Sequence, residues 1–97
     1  MTRADEIRAR LAAALDPLRV EIEDESHRHA GHAGARAGGE SHFRALVVSA
    51  RFEGKSRVER QRMVYAALGD LMSGPGAIHA LAMQTLTPDE WRAQGDS

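Results

Sequence analysis

The fold of this 97-residue chain is decided by the stretch SHFRALVVSARF at residues 41–52. Its middle part, residues 45–50, is almost entirely apolar, which is typical of a strand that is covered on both faces. Such a strand lies inside a sheet, with helices on one side and partial shielding on the other. We therefore predict a central strand over residues 41–52.

Two further strands are predicted on either side of this stretch. Residues 18–23 alternate apolar and polar side chains with a period of two, which indicates a half-buried strand. Residues 77–86 predict a third strand, with a weaker signal because of their alanines. The first two strands form a hairpin whose connection is much longer than an ordinary hairpin loop, and long ordered loops of this kind are usually functional.

Helix signals separate and flank the strands. Residues 3–15 carry one apolar stripe, with Thr2 as the N-cap, and the Asp-Pro of residues 16–17 ends the helix. The second helix begins after Ser56, which forms a capping box with Glu59, and it is stopped by the Gly-Pro-Gly of residues 74–76. The last helix begins at Thr87, which is followed by a proline and two acids.

The predicted order of elements is therefore α-β-β-α-β-α, a three-stranded sheet packed against helices in one α+β domain over residues 1–97. The chain is too short for a second core. We expect frayed ends at about residues 1–3 and 93–97 and a flexible Gly- and Ala-rich loop at about residues 27–40.

Composition limits the function more than it defines it. The chain has a net charge of −1 and no cysteine, so we expect neither a global basic field nor a disulfide framework. The charge is uneven, because residues 44–62 contain six Lys or Arg against two Glu. We identify no secretory signal and no membrane-spanning segment, and we therefore expect a cytoplasmic protein, or one in a matrix-type compartment.

The predicted loop contains the most distinctive feature, the stretch SHRHAGHAG at residues 26–34. It places His27, His29 and His32 within six residues, and histidine is the commonest metal ligand in proteins. The other two histidines, His42 and His79, are predicted near the starts of the second and third strands. A metal site, a zinc-binding loop and a plain solvated loop are all compatible with this pattern.

A second candidate site is the basic segment that opens the second helix. Lys55, Arg57, Arg60 and Arg62 could contact phosphate there, or could instead pair with nearby glutamates on a solvated surface. The aromatic beside them is Phe52, and a single aromatic offers no platform for base stacking. No arrangement of nucleophile, base and acid supports catalysis, so we do not predict an enzyme or a small-molecule substrate.

The chain resembles the BolA family over nearly its whole length, from about residue 7 to residue 91. The segments that carry the resemblance are DES (24–26), HAGH (29–32), ESHF (40–43), VS (48–49), FEGKS (52–56), RQRMVY (60–65), IHAL (78–81) and TPDEW (87–91). One departure is Gln61, where the family often has histidine. The resemblance implies a fold similar to the class II KH domain, with a mixed three-stranded sheet.

The resemblance also implies a partner and a cofactor. BolA-like proteins pair with monothiol glutaredoxins around a bridging [2Fe-2S] cluster, for which the glutaredoxin and glutathione supply thiolates. The BolA protein supplies a C-terminal histidine, here His79, and a ligand from the variable loop. For that second ligand we choose His29, three residues after Ser26, ahead of His32; His27 and His42 are weaker choices. We expect no cofactor in the isolated protein, which would be a monomer or a weak homodimer.

An alternative function implied by the resemblance is DNA binding in the regulation of stress response and morphology. The basic segment 51–62 would supply the surface, through Lys55, Arg57, Arg60 and Arg62. KH domains bind single strands through a GXXG loop, and the corresponding GKSR at residues 54–57 lacks the second glycine.

Overall fold

The computed structural model describes residues 2–25, 42–73, 78 and 80–95. These residues contain three α-helices and three strands. In chain order they are α1 (Arg3–Leu15), β1 (Arg19–Asp24), β2 (His42–Val48), α2 (Arg57–Leu68), β3 (Ala80–Leu86) and α3 (Pro88–Gly95). The predicted α+β class and the predicted order are therefore confirmed. No helix in these ranges is long and apolar enough to cross a membrane.

The sheet is mixed, and β2 is its central strand, as predicted. Strand β1 pairs with β2 in the antiparallel direction, with Ile22 opposite Ala45. Strand β3 pairs with β2 in the parallel direction, with Ala80 opposite His42. The similarity to the class II KH fold stays a prediction.

One face of β2 forms the floor of the core. Phe43, Ala45 and Val47 alternate along the strand and are almost completely buried. Against them lie the apolar stripes of the two long helices: Ile7, Leu11 and Leu15 from α1, and Val64 and Leu68 from α2. Because the helices cover this face, burial of apolar area supplies the main driving force for folding.

The predicted central strand is wrong at its C-terminal end, because β2 stops at Val48. Ser49 is fully buried, and its hydroxyl donates a 2.7 Å hydrogen bond to the carbonyl oxygen of Leu15. The Ser49 hydroxyl oxygen in turn accepts the N–H of Arg51 at 3.1 Å, which starts a 3₁₀ turn over Ala50–Phe52. The turn brings Phe52 into the core, where it is fully buried.

The ends of the other elements also differ in detail from the prediction. Helix α2 ends at Leu68 and is followed by a 3₁₀ turn over Gly69–Met72, in which Gly69 has a φ of 51° that favours glycine. Strand β3 begins at Ala80 rather than at residue 77. Residues 93–95, which were predicted to fray, form the last turn of α3.

Candidate functional site

One end of the sheet collects three chain segments. Because β2 and β3 are parallel, both begin at this end, and antiparallel β1 ends there. His42 lies opposite Ala80, and its carbonyl oxygen accepts the N–H of Glu25 at 2.8 Å. We call this set, Glu25, His42 and Ala80, the histidine end of the sheet.

The predicted cluster ligands belong to the segments that meet here, although they lie outside the described residues. His27, His29 and His32 are in the segment that leaves the sheet at Glu25 and returns at His42. His79 directly precedes Ala80. The fold therefore brings the ends of both histidine-bearing segments to the same place. The spacing of the histidines along the sequence does not show this proximity.

The chain on both sides of His79 is fixed by main-chain contacts. Ile78 is buried, and its N–H donates a 2.9 Å hydrogen bond to the carbonyl oxygen of buried Leu71. On the other side, Ala80 is the first residue of β3 and is in register with β2. Both sequence neighbours of the predicted C-terminal ligand are thus anchored.

The other two segments are anchored at the same end. Arg44 of β2 donates from Nε to the Glu25 carboxylate at 3.1 Å, which adds an ion pair to the main-chain bond of Glu25. His42 is half-buried as the first residue of β2. Within the described ranges no group of three or more metal-ligating side chains is assembled.

The donor set of the chain is compatible with a shared cluster. The chain has no cysteine, so imidazole is the ligand it can offer to an iron-sulfur cluster. A complete ligand set would need thiolates from another molecule, because known cluster sites are built mainly from thiolates. The residues present therefore fit a contributed half-site rather than a complete one.

At the opposite end of the sheet, Arg60 of α2 holds three elements together. Its Nε donates to the carbonyl oxygen of Lys55 at 3.0 Å, and its Nη1 donates to that of Thr85 at 3.0 Å. The same Nη1 donates to the Glu90 carboxylate at 2.7 Å. The Arg60 side chain is only 13% exposed, and its guanidinium lies 5.9 Å from the Phe52 ring centroid. These contacts give Arg60 a structural role, which its place in a basic run did not indicate.

The other three cations of the predicted nucleic-acid surface are exposed. Lys55, Arg57 and Arg62 form no ion pair with the described residues. Glu59, a partner considered from the sequence, is occupied by the capping box with Ser56. Hydrogen bonds from Ser56 hold the pKa of Glu59 below its ordinary value, and the charges of Lys55 and Arg62 lower it further. The exposed basic surface therefore contains three of the four predicted cations, because Arg60 is not available.

The two aromatic side chains near the basic segment differ in exposure. Phe52 is fully buried, so it cannot stack on a base. Tyr65 of α2 is 42% exposed and lies one turn beyond Arg62. Its position three residues after Arg62 was the signal that could have identified it as a surface residue.

A groove of about 630 Å³ separates the start of α2 from α3 and is floored by β3. Its α2 wall carries Lys55, Arg57 and Arg60, and its α3 wall carries Glu90 and Gln94. Glu90 is held by Arg60 and by a reciprocal pair of hydrogen bonds with Thr87. The hydrogen bond from Arg60, followed by that from the Thr87 N–H, lowers the pKa of Glu90 from its ordinary value of 4.5.

Comparison with known proteins places this architecture in a family. A family model described as BolA-like protein matches residues 11–90. The chain therefore belongs to the BolA-like protein family, which confirms the resemblance found in the sequence.

Individual relatives match most of the chain. It is 49% identical to BolA-like protein 1 of Mus musculus over 86 residues, which is 89% of this chain and 58% of the relative. It thus spans less than two thirds of that relative's length. The DNA-binding transcriptional regulator BolA of Escherichia coli is 40% identical over 93 residues, covering 96% of this chain and 83% of the relative.

Solved structures agree with the observed fold. BolA1 from Arabidopsis thaliana has a TM-score of 0.79 at 39% identity, covering 93% of this chain and 96% of that one. The BolA domain of SufE1 from the same plant has a TM-score of 0.77 at 41% identity, with the same two coverages.

The Arg60–Glu90 contact predicts a pH-dependent contribution to stability. Because the pKa of Glu90 is lowered in the folded state, its contribution is present above the unfolded pKa and is lost as the pH falls through the folded pKa. Glu90→Gln should lower the thermal midpoint at neutral pH, and the difference from the unmodified chain should shrink between about pH 5 and pH 3. Thermal unfolding followed by circular dichroism measures this, and a difference that is constant with pH would contradict it.

Proposed function

We propose that this chain is the partner of a monothiol glutaredoxin and contributes imidazole ligands to a [2Fe-2S] cluster that bridges the two proteins. The observation that carries the proposal is the histidine end of the sheet. There, Glu25, His42 and Ala80 bring together the ends of both segments that contain the predicted ligands. The proposed ligands come from two distant parts of this sequence, and the sheet brings the ends of those two parts close together.

His79 and His29 are the proposed ligands, with His32 as the alternative to His29. The anchored neighbours Ile78 and Ala80 support the choice of His79. The remaining ligands would be thiolates of the glutaredoxin and of glutathione. When bound, the cluster supplies iron and sulfide for transfer or a centre for one-electron chemistry, and imidazole ligation raises its reduction potential relative to four thiolates.

Membership of the family supports the role of a partner protein rather than of an enzyme, and the absence of a catalytic constellation in the sequence agrees with it. The plant relative named SufE-like protein 1 matches 92% of this chain but only 24% of its own length. A domain of this kind thus occurs within a larger protein, in line with a module that acts through another protein.

Ligand substitution in the purified glutaredoxin complex tests the proposal. We expect His79→Ala to abolish the visible circular dichroism of the bridged cluster, and His29→Ala to weaken or change it. His27→Ala is the matched control from the same segment and should leave the spectrum unchanged.

Because imidazole must be neutral to bind, cluster retention should fall as the pH drops below about 6.5.

The outcomes separate the ligand choice from the function. If His32→Ala rather than His29→Ala changes the spectrum, the loop ligand is His32. If the double variant His79→Ala with His29→Ala has the spectrum of the unmodified complex, the proposed half-site is wrong.

DNA binding is a second candidate function. It is favoured by the similarity to the DNA-binding transcriptional regulator BolA of Escherichia coli and by the exposed cations Lys55, Arg57 and Arg62. Arg60 is left out of this surface because its guanidinium is occupied by Thr85 and Glu90.

The salt dependence of duplex DNA binding tests this second function. Each phosphate contact contributes about 0.9 to the slope of log K against log salt concentration. Changing Lys55, Arg57 and Arg62 together to Gln should therefore reduce the slope by about 2 to 3. Arg8→Gln, at an exposed position of α1, is the control and should have little effect. Binding that keeps its slope in the triple variant would exclude this surface.

A further inference from the structure

Strand β3 is an edge strand, because the sheet order is β1-β2-β3. In a parallel pair, alternate residues of a strand direct their peptide groups to the neighbouring strand. The carbonyl oxygen of Leu86 accepts the N–H of Ser49 beside β2, so Leu86, Gln84 and Ala82 face β2. The peptide groups of Leu81, Met83 and Thr85 consequently face away from the sheet.

This outer edge is only partly occupied. The carbonyl oxygen of Thr85 accepts a hydrogen bond from Arg60. In the part of the chain that the structure describes, the outward N–H and C=O of Met83 have no hydrogen-bond partner. Such an unpaired row is a template for pairing with another strand, and it is covered or blunted in many natural sheets. Here it lies along the groove between α2 and α3.

The charge of the groove selects the kind of strand that fits. Glu90 on the α3 wall is neutralised by Arg60, which it contacts at 2.7 Å. Lys55 and Arg57 on the α2 wall have no such partner among the described residues. The groove therefore presents two exposed cations that form no ion pair with the described residues, beside open main-chain donors and acceptors.

We propose that the free edge of β3 binds an extended, acidic peptide segment of a partner protein by strand addition. The segment would pair with the outward peptide groups around Met83, and its acidic side chains would contact Lys55 and Arg57. At about 3.3 Å per residue, the edge from Leu81 to Met83, which ends before the Thr85 carbonyl that Arg60 occupies, accommodates about three residues. Main-chain pairing would supply affinity and the charges would supply selectivity.

Main-chain pairing distinguishes a peptide from a nucleic acid at this groove. A phosphate backbone could use Lys55 and Arg57, but it could not form the two-way N–H and C=O pairing that Met83 offers. The groove is also at the end of β3 away from Ala80. Peptide binding therefore goes beyond the cluster function and does not depend on the histidines.

Fluorescence anisotropy with a labelled octapeptide of alternating glutamate and valine tests the proposal on the full chain. The expected result is binding about tenfold or more tighter than that of the matching lysine–valine octapeptide. The double variant Lys55→Gln with Arg57→Gln should lose about tenfold or more of the affinity, whereas Arg8→Gln should not. His79→Ala should bind the peptide normally, so that failure of this proposal is separable from failure of the cluster proposal.

Peptides with methylated amide nitrogens test the main-chain pairing without altering the protein. Methylation of the glutamate amides and methylation of the valine amides block opposite edges of the bound strand. One pattern should abolish binding and the other should preserve it. The proposal is overturned if both patterns bind like the unmethylated peptide, or if the lysine peptide binds equally well. It is also overturned if oligothymidylate occupies the groove, with dependence on Lys55 and Arg57, while the acidic peptide does not bind.

Discussion

The pairing of β2 with its two neighbours is the constraint on which the rest of the structure depends. Phe43, Ala45 and Val47 are buried under the helices, so a slip of one residue would turn this apolar set away from the core. The register is therefore fixed by burial, and with it the placement of Ala80 opposite His42 and of Glu25 beside His42. Burial on one face of a strand thus determines which distant segments meet at the end of the sheet.

The two ends of the sheet have different chemistry. The histidine end joins the segments that carry imidazoles and is anchored by main-chain hydrogen bonds at Glu25 and Ile78. The other end is organised by Arg60, whose contacts with Thr85 and Glu90 join α2, β3 and α3. This separation would allow a cluster-sharing partner and a second partner to bind without competing for the same residues.

The local signals in the sequence predicted the elements well, since three helix starts carry their own caps. Thr2, Ser56 and Thr87 each exchange hydrogen bonds with an acid three residues later. What the sequence could not predict depends on distant contacts. The end of β2 follows from the bond between Ser49 and Leu15, 34 residues apart, and the structural role of Arg60 depends on Glu90, 30 residues away. The ligand choice of His79 and His29 came from the family resemblance, because the histidine pattern alone left several kinds of site open.

The central claim is that a cluster shared with a glutaredoxin lies at the histidine end of the sheet. Paramagnetic broadening of amide resonances tests it directly, with the ¹⁵N-labelled chain in the cluster-bridged complex compared with the same complex without cluster. The account predicts that the amides of Glu25, His42 and Ala80 broaden, while those of Arg57 and Leu86 stay sharp. Broadening centred on Arg57 and Leu86, with sharp signals at the histidine end, would contradict it.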